Sequence, residues 1–106
     1  MGVTAVALGL LLLGADTSAA MRKPKTHTVV IEGTSFRPAS LTVAAGDTVE
    51  WVNKDFFPHT ATSAQGKFDS KEIAAGMSWK YVIRTQGEFA YTCTFHTTMK
   101  GMLRVK

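Results

Sequence analysis

Beyond residue 20, apolar and polar residues alternate along most of the chain, a period of two that predicts extended strands. Val29 and Ile31 alternate within 28–32, and Leu41 and Val43 do so ahead of a turn at Ala45-Gly46-Asp47. Val49 and Trp51 mark the next strand. Met77, Trp79, Tyr81 and Ile83 share one face of a fourth, with Ser78, Lys80 and Arg84 opposite. After a turn at Gly87-Glu88, Phe89, Tyr91 and Cys93 share an inward face, and Leu103 and Val105 do so in the last strand. No segment carries a helical period. Short strands divided by Gly, Asn, Asp and Pro predict an all-β antiparallel sandwich. Trp51, Trp79 and Met77 are expected in its core. The stretch 62–76 has no readable pattern.

The first 20 residues read differently. An apolar run from Val3 to Leu13 ends in Ser18-Ala19-Ala20, the form of a secretory signal cleaved after a small residue, although Lys and Arg are missing from its start. The run is too short for a membrane anchor, which needs about 20 apolar residues. The expected organisation is a signal peptide at 1–20 and one domain at 21–106, exported to a periplasm or a comparable compartment, with no stable membrane insertion. A domain of that length supports a single core. All 12 Lys and Arg and seven of the eight acids lie in it, a formal charge of +5. That charge suits an acidic protein partner. The basic residues are scattered and no nucleic-acid motif accompanies them, so nucleic acid is not an expected ligand.

The candidate chemistry lies near the C-terminus. In Tyr91-Thr-Cys-Thr-Phe-His-Thr-Thr-Met99, the residues Cys93, His96 and Met99 stand three apart, and His59 lies upstream. The chain has one cysteine, which excludes an intramolecular disulfide. Alone on an inward strand face it would be a small core residue. One thiolate, two imidazoles and a thioether together suit copper, because soft sulfur favours Cu(I) while imidazole accepts both oxidation states. A loop leaving the Cys93 strand would bring the three C-terminal donors to one point, with His59 arriving from another loop. Of the two methionines there, Met102 precedes the inward Leu103 and should face outward, which leaves Met99 as the axial candidate.

The spacing Cys-x2-His-x2-Met, preceded by Phe57-Pro58-His59, resembles the small type 1 blue-copper proteins, the cupredoxins, and most of all the amicyanin type. So does Leu-x-Val-x-x-Gly-Asp-Thr-Val-x-Trp-x-Asn from Leu41 to Asn53. The resemblance implies a Greek-key β-sandwich or barrel holding one copper ion on His59, Cys93, His96 and Met99. It implies a buried His59 and a His96 whose ring edge reaches the surface, rimmed by Phe57, Pro58 and Phe95. The implied function is single-electron transfer between redox proteins by a monomer; the alternative is a copper carrier or buffer in the same compartment. An enzyme built on Cys93 and His96 lacks an orienting third group, so no catalysis is expected. Two residues depart from the family pattern. Thr60 stands where Asn is common, and its hydroxyl could reach the Cys93 loop. Phe95 stands where Pro is usual, and its free amide could donate to the Cys93 sulfur. His27, without a partner in sequence reach, is expected at the surface.

Overall fold

The computed structural model describes residues 22–106, so the signal expected at 1–20 lies outside the described residues. Eight strands follow one another: β1 (Thr26–Ile31), β2 (Phe36–Arg37), β3 (Ser40–Val43), β4 (Thr48–Asn53), β5 (Thr62–Ser63), β6 (Ser78–Val82), β7 (Gly87–Cys93) and β8 (His96–Val105). They form two four-stranded sheets, ordered β2-β1-β4-β6 and β3-β8-β7-β5. The all-β sandwich expected from the alternation is therefore present, with no helix among the described residues.

The pairing is not purely antiparallel. β1 runs parallel to β4 and β3 runs parallel to β8, while the other pairs are antiparallel. The cause is the chain's passage between sheets: β3 joins the second sheet, so β4 returns beside β1 in the same direction. Alternation reports which face is buried and says nothing about which strand lies alongside.

Inward residues of both sheets meet in one core. Trp51 is its centre, 5.4 Å from the Phe68 ring, 5.5 Å from Tyr91 and 5.6 Å from Trp79. Phe68 is part of this core although it lies in the stretch without a readable pattern. Met77 stands just outside β6 on the edge of its sheet and is 60% exposed, which corrects its expected place in the core.

The two poles differ in chemistry. At one, the buried carboxylate of Asp47 accepts from Arg22 (2.9 Å), from the amides of Lys25 (2.9 Å) and Ala44 (3.1 Å), and lies 2.9 Å from His27 Nε2. Burial pushes this carboxyl upward, but those contacts outweigh it and hold the group well below the usual carboxylate range. His27 thus has a partner, a correction to its reading as a plain surface residue. At the opposite pole lie the ends of β1, β4 and β7 and the start of β8, and there the candidate ligands gather.

Candidate metal centre

The loop after β4 takes its shape from Asn53, which is fully buried at the strand's end. Its amide nitrogen donates to the carbonyls of Phe57 and Ile73, both at 2.9 Å, and its oxygen accepts from the Asp55 amide at 3.0 Å. One side chain therefore ties both ends of the loop to the neighbouring segment. His59 follows, its backbone exchanging hydrogen bonds with Ile73, and its ring is fully buried.

A carboxylate sets the direction of that ring. His59 Nε2 lies 2.8 Å from Asp55 Oδ2. Asp55 is itself fixed by the amides of Gly33 (2.8 Å) and Thr34 (3.0 Å), two successive residues with φ of +62° and +55° that aim both N–H groups at it. Burial raises the Asp55 pKa, and the two amides and His59 lower it by more, so the group is ionised in the neutral range. An ionised carboxylate only accepts, so Nε2 carries the proton and, in the neutral ring, Nδ1 presents a lone pair. That lone pair faces Cys93 Sγ at 3.6 Å.

Cys93 and His96 come together in a different way from the loop expected. Cys93 ends β7, His96 begins β8, and only Thr94 and Phe95 separate them, so the two ligand candidates are the paired residues of a tight hairpin. Thr92 pairs with Lys100 whereas Cys93 pairs with His96, which leaves Thr97, Thr98 and Met99 without registered partners on β7. Such a bulge re-aims the side chains beside it. His96 Nδ1 lies 3.9 Å from Cys93 Sγ, and the His59 and His96 rings are 5.1 Å apart.

These spacings fit a shared cation. With metal–sulfur and metal–nitrogen bonds of about 2.3 and 2.0 Å, a tetrahedral to trigonal ion separates its sulfur and nitrogen ligands by roughly 3.5 to 3.8 Å. The donor atoms of His59, Cys93 and His96 all lie within 4.8 Å of one another. One thiol proton cannot satisfy two nitrogen lone pairs, so the arrangement suits a positive charge in the middle. Met99 is 3% exposed and shares the inward face of β8 with Gly101, Leu103 and Val105. Met102, on the other face, is half-buried.

The Thr60 substitution keeps two contacts to the ligand hairpin. Its amide donates to the Cys93 sulfur at 3.3 Å, and its hydroxyl accepts from the Thr94 amide at 2.9 Å. The sulfur's backbone donor is thus Thr60 and not Phe95, which corrects the role expected for the Phe95 amide. Phe95 points outward, and with Phe57, Pro58 and the half-buried His96 it lines an apolar hollow over the site. Phe56, next to Phe57 in sequence, is 98% exposed. The loop-holding role of Asn53, otherwise only the last residue of the Leu41–Asn53 pattern, and the contact of Asp55 to His59 escaped the sequence reading. The spacing Asp55-x3-His59 was the available signal, and without the fold nothing marks it as a contact.

The arrangement has known counterparts. A family model described as a cupredoxin-like domain matches residues 4–105. A plastocyanin of Scenedesmus fuscus is 33% identical over 89 residues, covering 67% of this chain and 86% of the relative. An amicyanin of Paracoccus versutus is 29% identical over 83 residues, covering 74% of this chain and 63% of the relative. Among solved structures, a copper-containing nitrite reductase from Thermus scotoductus SA-01 superposes with a TM-score of 0.73 at 31% identity. That match covers 80% of this chain but only 23% of the reductase. The sandwich, the His59-Cys93-His96 group compatible with a type 1 copper site and the family match agree, and the chain belongs to the cupredoxins.

Proposed function

We propose that the protein carries single electrons between redox partners on one copper ion held by His59, Cys93, His96 and Met99. The observation that carries this reading is the convergence of two imidazole nitrogens and one cysteine sulfur at the end of the sandwich. Copper bound there would supply the one-electron couple, because sulfur stabilises Cu(I) and the two nitrogens accept Cu(II) as well. The residues do the rest. Cys93 binds as thiolate, the Asp55 carboxylate keeps the His59 Nδ1 free, and buried Met99 offers a thioether from the core side. Four protein donors leave no open position for a substrate, which supports a carrier over an enzyme.

His96 is the proposed port. Its half-buried ring meets the hollow formed by Phe57, Pro58 and Phe95, and an exposed apolar patch of this kind suits brief docking. The net positive charge of 21–106 favours a partner with an acidic surface around that contact. No helix among the described residues is long and apolar enough to cross a membrane. The signal-like pattern of residues 1–20 supports an exported protein.

Cyclic voltammetry of the copper-loaded protein tests the proposal, and a reversible one-electron wave is expected. Absence of such a wave, with copper passing to a chelator faster than electrons are exchanged, would instead mark a copper carrier or buffer. The supporting carboxylate gives a second expectation. Asp55→Asn lowers copper affinity by about 10- to 100-fold, since an orienting partner of a ligand histidine has effects of that size. Competition titration with a chelator measures it, and an unchanged affinity would show that Asp55 does not set the His59 ring.

A further inference from the structure

The Thr60 hydroxyl that accepts from the Thr94 amide has a second neighbour, Thr62 Oγ1 at 2.9 Å, and the Thr62 hydroxyl donates to Asp69 Oδ1 at 3.1 Å. Thr62 and Asp69 also face each other across a backbone bridge, so the contact is built into the fold. The directions of these bonds can be deduced. Ionised Asp69 has no proton to give, so the single Thr62 hydroxyl proton goes to Asp69. Thr62 then only accepts from Thr60, and the Thr60 proton goes to Thr62. With that proton used, Thr60 Oγ1 is left as an acceptor for the Thr94 amide and for the Thr94 hydroxyl at 3.3 Å.

We propose that Asp69 is a remote positioning residue of the metal centre, acting through Thr62 and Thr60 on the turn that joins Cys93 to His96. Its charge orients every hydroxyl in the relay and leaves the last oxygen free to hold the turn. Bonds that end on a carboxylate are stronger than neutral ones, and each polarises the next. The relay also bears on the sulfur, because the Thr60 amide donates to Cys93 Sγ. A looser relay loosens that donor, which destabilises the electron-rich reduced thiolate and lowers the reduction potential. The relay is a property of the protein alone; only its effect on potential rests on the copper reading.

Thr62→Val tests this without changing any charge. In the metal-free protein, amide hydrogen exchange followed by NMR is expected to show Thr94 exchanging about fivefold faster relative to the core amides of β4. Asp69→Asn gives a similar increase, and the double variant gives no more than either single change. Lys71→Ala, which removes the exposed ion pair to Asp69 but keeps the Lys71 backbone amide, leaves Thr94 unchanged. With copper bound, Thr62→Val lowers the midpoint potential. Unaltered Thr94 exchange in Thr62→Val, or additive effects in the double variant, overturns the relay. If Asp69→Asn disturbs its own turn, Thr62→Val alone decides. Faster Thr94 exchange in a protein that binds no copper would keep the relay and sink the copper reading, and the opposite pair of results would do the reverse.

Discussion

Cys93→Ser is expected to abolish the intense visible absorption of the Cu(II)-loaded protein while leaving the fold intact. The absorption of such a site belongs to the bond between copper and a thiolate, and this chain has no other cysteine to replace it. Serine nearly matches the side chain in size, so the fully buried position suffers little in packing. It does not match the chemistry. A serine hydroxyl stays protonated in the neutral range and is a hard donor, so Cu(I) loses its main stabilising ligand. The variant should bind Cu(II) weakly through the two imidazoles, with a pale colour and no reversible couple. Visible spectra of both proteins at equal copper loading, with circular dichroism to verify the fold, decide the matter. A full-strength band in Cys93→Ser would mean that the colour arises elsewhere.

Gly101→Ala is expected to destabilise the domain by about 3 kcal/mol or more, the upper end for overpacking a core. Gly101 pairs with Tyr91 across β7 and β8, and the tyrosine ring lies over the glycine. A Cβ on residue 101 would come within 2.6 Å of Tyr91 Cε1, and closer still to Cζ and the hydroxyl oxygen. The ring has little room to yield, being 4.6 Å from Phe36, 5.5 Å from Trp51 and 5.9 Å from Phe68. Burial there also pushes the Tyr91 hydroxyl up to about 12, consistent with an enclosed ring. Because Tyr91 shares a strand face with Cys93, a displaced ring would disturb the metal centre as well. Urea unfolding of the two proteins measures the loss. A cost below about 0.5 kcal/mol, the range of ordinary surface changes, would contradict this packing.

The same glycine explains why part of the fold was hidden in the sequence. β8 begins at His96, yet alternation is visible only from Leu103 onward, because the inward positions before it are Met99 and Gly101. The apolar bulk for the Gly101 slot is supplied by Tyr91 of the adjoining strand, so the pattern is written on β7 instead. β5, two residues long, has too few positions to show a period. By contrast the strands around Val29, Trp51 and Tyr91 were legible, since each buries one full face against the opposite sheet.

The candidate site divides along a similar line. His59, Cys93, His96 and Met99 could be named beforehand because their chemistry belongs to the residue type and three of them lie close in sequence. The groups that hold them could not. Asp55 depends on two amides in the turn after β1, and the proposed relay from Asp69 reaches Thr94 only once β5 lies beside β7. Such contacts are ordinary loop residues until the fold gives them partners. Thr60 lies between the two cases. Its hydroxyl contact to the hairpin was expected, but the donor to the sulfur turned out to be its own amide.

His59, arriving from a separate loop, is expected to meet Cys93 and His96 around one ion. X-ray absorption at the copper edge, on protein titrated with Cu(II), tests it most directly. Saturation at one copper per chain is expected, with a single short sulfur and two imidazole nitrogens around the metal, and loss of one imidazole in His59→Ala. Saturation with no sulfur ligand, or an unchanged imidazole count in His59→Ala, would contradict it.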